Sequence, residues 1–161
     1  MRVYVPSTLP RLRALAGGEP LPAGSGHAVT AALREWYLDE DHEALEYAAF
    51  LDAARASLWL LAADPDAPRR RVVVAAELPD RAVSPEAGAD RSAVRFADPV
   101  PARLVAAIHV DDPAAGADVA AAIAALPAAA AGDDDAQFAV DSVEDHDLAW
   151  YATQELPDLL S

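Results

Sequence analysis

The chain has no cysteine, no lysine and no asparagine. Without cysteine there are no disulfides, thiolate metal sites or cysteine nucleophiles. Without lysine, every one of the 12 basic residues is an arginine, and none lies beyond Arg103. Residues 104–161 therefore carry 12 acidic and no basic side chains, against 15 acidic and 12 basic in residues 1–103. Of the net charge of −15, −12 falls in the last third. With a pI near 4.4, nonspecific nucleic-acid binding is not expected, because its affinity rests on neutralised phosphates. Charge-free apolar runs of about 18 residues are also missing, so no membrane span is expected. The opening MRVYVPSTLP lacks the apolar core of a signal peptide, which points to a soluble cytoplasmic protein. Isoleucine occurs twice while alanine dominates, the mark of a high-GC coding bias.

What is present suffices for a core. With 161 residues, 53% of them apolar, the chain is read as a single domain over 1–161. Residues 2–5 read as a strand ended by Pro6, and Ser7 or Thr8 can cap a short helix carrying Leu9, Leu12 and Leu15. The Gly/Pro-rich stretch 17–26 reads as a loop, 27–30 as a short strand and 31–38 as helical. Over 43–63, Tyr47, Leu51, Ala54, Leu58 and Leu61 recur at helical spacing. Its other flank is also apolar, so this helix is expected at the centre, buried. The β-branched run 71–77, then 93–96 and 104–110, read as strands. Asp112-Pro113 starts a helix that Pro127 is expected to end. Ser142 to Asp145 fits a capping box for a last helix reaching Leu156.

Five features bear on chemistry. Asp133, Asp135, Gln137, Asp141 and Glu144 fall at calcium-loop positions 1, 3, 5, 9 and 12, with Val140 at the apolar position. Phe138 stands where the sharp turn needs glycine, so an acidic cap and turn is the expectation and no metal is assigned. His109 and Asp111 share one face at a strand end, a possible base and orienter, though no nucleophile can be assigned to them. His146 is expected in the first turn of the last helix, exposed among acids. The Arg69–Arg71 run is short for a nucleic-acid patch and is expected to pair with the acidic last third. Trp36-Tyr37 and Trp150-Tyr151 are paired aromatics beside acids. Trp36, Trp150 and Tyr151 are interface candidates, weighed equally against core packing.

The segments RVYVPSTLPRLRALAGGE, ALREWY, LEYAAFLDAARASL and DAQFAVDSVEDHDLAWYATQELPDLL resemble an actinobacterial family of small proteins of unknown function, over nearly the whole chain. A looser resemblance concerns fold. The Tyr4 strand, Ser7-Thr8 and a short helix, then VVVAAELPD and VRFADPVPARLVAAIHV, are similar in order to ADP-ribosyltransferase folds. The place of that superfamily's NAD-gripping histidine is held by Val5, with Arg2 as a substitute, and no late strand supplies a catalytic glutamate. The resemblance implies a nucleotide pocket lined by Arg2, Tyr4, Ser7 and Tyr37 rather than the enzyme's chemistry.

The reading is an α+β domain with a mixed or antiparallel sheet of about four to six strands covered by helices. Its expected function is that of a non-catalytic binding or regulatory module, without cofactor, meeting a protein partner or itself. The alternative is an ADP-ribosyltransferase-like domain binding a nucleotide such as NAD. A pocket at Arg2 and Tyr4 favours the second, and an apolar patch at Trp150 the first.

Overall fold

Among the described residues, seven strands, every neighbouring pair antiparallel, make one open sheet ordered β4-β5-β2-β1-β3-β6-β7. The computed structural model describes residues 1–88 and 90–161. In chain order the strands are β1 (Arg2–Ser7), β2 (Gly24–His27), β3 (Val72–Glu77), β4 (Val83–Pro85), β5 (Ala93–Phe96), β6 (Val105–Asp111) and β7 (Leu148–Tyr151). The helices are α1 (Leu9–Ala16), α2 (Ala31–Trp36), α3 (His42–Ala63), α4 (Gly116–Ala130), α5 (Asp134–Ser142) and α6 (Leu156–Leu160). The sheet is larger than the expected four to six strands, because Val83–Pro85, where no strand is expected, and Leu148–Tyr151, expected as helix, are strands.

Strand alternation sorts side chains onto two faces. Val3, Val5, Val72, Val74, Ile108 and Val110 face α1 and α6, where Leu12, Leu15 and Leu156 complete one core. Tyr4, Val73, Ala75 and Ala107 face α3, which lays Leu45, Ala49 and Ala53 on them. The alanines bring the helix close to the sheet. Further along, Leu58 and Leu61 of α3 pack with Val119, Ala122 and Leu126 of α4 and with Val140 of α5. Central α3 thus has two buried flanks, but Tyr47 and Trp59 are 57% and 50% exposed.

Ser57 ties α3 to the sheet. Its hydroxyl donates to the Ser7 carbonyl at 2.9 Å and accepts from the Val72 amide at 3.1 Å. Asp41 caps the start of α3 by accepting from the Ala44 amide.

Other elements also differ from expectation. Gly24–His27 is a strand between β1 and β5, where residues 17–26 read as loop and 27–30 as strand. Gly26 permits this: a Cβ there would stand 2.7 Å from Val3 Cγ1. Thr30 instead caps α2, accepting from the Leu33 amide. Helix α4 instead runs through Pro127 to Ala130, although the proline has no N–H to give the Ile123 carbonyl. The expected last helix over 142–156 is absent. In its place α5 ends at Ser142, β7 closes the sheet beside β6, and α6 follows. The spacing of four from Leu148 to Ala152 to Leu156 mimicked a helix, but β6, apolar on both faces, takes Leu148–Tyr151 as its outer neighbour. Pro113–Ala130 is long and apolar enough to cross a membrane by length and composition, its hydropathy resting largely on alanine.

Candidate functional site

A concavity lies where α3 leaves the sheet uncovered near β6 and β7. Its volume is about 530 Å3, within the usual range for ligand clefts. The floor comes from strand positions on the α3 face: Arg2 and Tyr4 of β1, Ala107 and His109 of β6, Leu148 and Trp150 of β7. His109 lies directly opposite Trp150 in the sheet register. The wall comes from α3, where Glu43, Glu46, Tyr47 and Phe50 recur at spacings of three and four and so project together. Glu144, His146 and Asp147, just before β7, close the rim.

Aromatic groups dominate the interior. Phe50 meets His109 edge-on at 4.8 Å and Tyr4 edge-on at 5.8 Å, and it stacks with Tyr47 at 6.2 Å. Trp150 is 60% exposed at the open side. Burial pushes the Tyr4 phenol up to about 12, helped by Glu46, whose carboxylate accepts from the hydroxyl at 3.1 Å. Burial, and then the charge of Arg2, lower the His109 imidazole below its usual value. His109 is therefore neutral at pH 7, with one N–H and one lone pair to offer.

The cations at the cleft are already committed. Arg2 Nε donates to Glu77 at 2.7 Å. Arg71 is buried in a bidentate pair with Asp111. Of the four carboxylates, Glu46 faces His42 at 3.2 Å and Glu144 pairs with Arg55. Glu43 and Asp147 have no ion pair among the described residues. The cleft thus keeps unspent negative charge beside aromatic faces. Its lining holds no serine or threonine, so a hydroxyl nucleophile would have to be a tyrosine.

The structure brings Arg2 and Tyr4 into this cleft and leaves Ser7 and Tyr37 out of it. Ser7 is buried at the end of β1, its hydroxyl without a hydrogen-bond partner among the described residues, and Tyr37 is exposed after α2. Among the interface candidates, Trp150 lines the cleft and Tyr151 packs on the opposite core. Trp36 is covered by the Arg91 guanidinium, 3.6 Å from the ring centre. Asp111 does not orient His109, since Arg71 takes both its oxygens. His146 sits in the loop before β7, not in a helix, with Nε2 2.6 Å from Asp118. The Arg run does meet the acidic third through Arg71, and Arg70 donates to the Asp111 carbonyl; Arg69 instead holds carbonyls of Leu61 and Asp64. Asp133, Asp135, Asp141 and Glu144 form no loop. Asp133 caps α5, Phe138 is mid-helix, and Asp141 and Glu144 share Arg55.

A second polar cluster escaped the sequence reading. His27 Nδ1 is 2.8 Å from Ser92 Oγ, which donates to Asp52 at 2.7 Å. The serine stands in the middle, the reverse of a hydrolase triad, where histidine bridges the other two. Ser92 is fully buried, and the trio ties β2, α3 and the start of β5 together. Its residues lie far apart in the chain and carry no motif. The α3 wall also went unread, although Glu43, Glu46, Tyr47 and Phe50 share a helix face.

No curated protein and no solved structure matches this chain. A family model does, over residues 1–160, and the chain belongs to that family, one of unknown function designated DUF6912.

Proposed function

We propose that this protein is a non-catalytic cytoplasmic binding module whose cleft receives a basic side chain of a protein partner. The observation that carries the reading is the juxtaposition of aromatic faces with unpaired carboxylates. Tyr47, Phe50 and Trp150 surround a space into which Glu43 and Asp147 bring uncompensated charge. An arginine or lysine head satisfies both, by cation–π contact and by charge. Neutral His109 adds an acceptor for an N–H.

The nucleotide reading fits the same cleft less well. Only Arg2 and Tyr4 of its four residues are there, and Arg2 is held by Glu77. A phosphate would meet Glu43, Glu46, Glu144 and Asp147.

The test is NMR shift mapping with millimolar acetyl-arginine amide and, separately, NAD. Shifts confined to Trp150, His109 and Tyr47 with the arginine probe are expected. Shifts there with NAD alone, or with neither probe, overturn the reading.

A further inference from the structure

The two edges of the sheet are built differently. Strand β4 is three residues long and ends in Pro85, which has no N–H to offer a neighbour. Strand β7 reads Leu-Ala-Trp-Tyr, with neither proline nor charge. Among the described residues its one strand neighbour is β6, so the alternate backbone groups on its other side meet no described strand. Such an edge is a template for another strand, and folded proteins normally blunt it.

We infer that β7 is a docking edge, where an extended basic segment of a partner protein adds as an eighth strand with alternate side chains in the cleft. This rests on the cleft reading above and specifies how the partner enters. Leu148 and Trp150 both line the cleft. Side chains opposite them on an added strand fall on the same face, two residues apart. An arginine at either position lies over Trp150 and within the field of Asp147 and Glu43. The intervening residues project to the far face, beside Ala149 and Tyr151. Main-chain hydrogen bonds supply affinity in this mode, and the cleft supplies selection.

Charge decides the occupant. Asp145 and Asp147 precede β7, Glu155 follows it, and no basic residue occurs after Arg103. Two copies paired edge to edge would oppose two −12 segments, and a basic strand neutralises one.

The experiment uses the full chain and a ten-residue peptide of alternating threonine and arginine, blocked at both ends. Two N-methylated forms carry the methyl groups on one or the other alternate set of amides. Binding is followed by calorimetry and amide exchange by NMR. One methylated form is expected to lose about tenfold or more in affinity and the other little, because only one edge of the peptide faces β7. Amides of β7 that exchange quickly in the free protein become protected. Equal binding of all three peptides without that protection overturns the inference and leaves the cleft reading standing. No binding of any of them, or β7 amides protected by protein concentration alone, overturns it as well.

Discussion

Arg71 and Asp111 form a bidentate ion pair inside the protein, Nε to Oδ2 and Nη2 to Oδ1, each at 2.8 Å, with side chains 1% and 0% exposed. Asp111 Oδ2 also accepts from the Arg71 amide, and Arg71 Nη2 donates to the His146 carbonyl at 2.9 Å. The pair joins the start of β3 to the end of β6 and fixes the turn that leads into β7. It thereby holds one rim of the cleft.

Removing one member leaves the other charged and dry. Arg71→Met is therefore expected to cost about 3–5 kcal/mol, read from the urea unfolding midpoint. The double change Arg71→Met with Asp111→Leu should cost less than the sum of the two single changes. Strict additivity would show that the pair does not act as a unit.

Two histidines should titrate abnormally. Burial lowers both His27 and His109, and the three carboxylates near His27, Asp52, Asp90 and Glu86, do not restore it. A group whose folded value lies below its unfolded value of about 6.5 favours folding above that pH. That stability declines as pH falls below about 6.5 toward the folded values. Burial raises Asp52, which works the other way: its contribution is present below the ordinary carboxylate value and is lost as pH rises through the raised one. NMR titration should place the His27 and His109 ring protons below the usual midpoint. Melting temperature should drop between pH 7 and 5.5, and His27→Gln should flatten that drop. A normal midpoint for either ring contradicts its burial.

The sheet core was legible where apolar runs are long and uninterrupted, as in Val72–Ala76 and Val105–Val110, and so was α3. The far ends were not. Leu148–Tyr151 contains four residues, too few for alternation to outweigh a helical spacing that continued to Leu156. Glycines at 24 and 26 read as loop because the reason for Gly26, the approach of Val3, lies in another strand, and Gly24 answers to a backbone φ of +155° that no local pattern shows. Part of the cleft was visible as Arg2, Tyr4 and Trp150. The remainder depends on which residues of α3 stand over β6, a matter of tertiary packing that no local pattern encodes.

Trp150→Ala separates binding from stability. The indole is mostly exposed, so the melting temperature should move little, within about 0.5 kcal/mol of stability. Affinity for the alternating arginine peptide should fall several-fold, as befits the loss of an exposed cation–π contact of about 0.5–1 kcal/mol. Calorimetry on the variant with an unchanged affinity would remove Trp150 from the site.

Duplex DNA and single-stranded RNA should not bind at physiological salt. Wherever residues 104–161 face a phosphate backbone they repel it, and Arg69–Arg71 are occupied by carbonyls and Asp111. Fluorescence polarisation with labelled oligonucleotides should stay flat, and submicromolar binding at about 150 mM salt would contradict the charge argument.

The end of the chain should behave as core. Leu156 is 4% exposed among Leu12, Leu15 and Ile108, and Leu159 and Leu160 pack beside it. Glu155 holds the approach, its carboxylate accepting from the Ala152 amide at 3.0 Å. Helix α6 is only five residues long and has no stability of its own, so its position rests on those leucines. Leu156→Ala should then cost about 2–5 kcal/mol, the range for a buried leucine whose cavity cannot fully collapse. Truncation after Asp141 removes β7 as well and should cost more, because β6 loses its outer neighbour and Arg55 loses Glu144. Thermal melts of the full chain, the Leu156 variant and the truncation should fall in that order. If the truncated chain melted with the full one, residues 142–161 would be a detachable tail, and neither the sheet edge nor the cleft rim would be part of the folded domain.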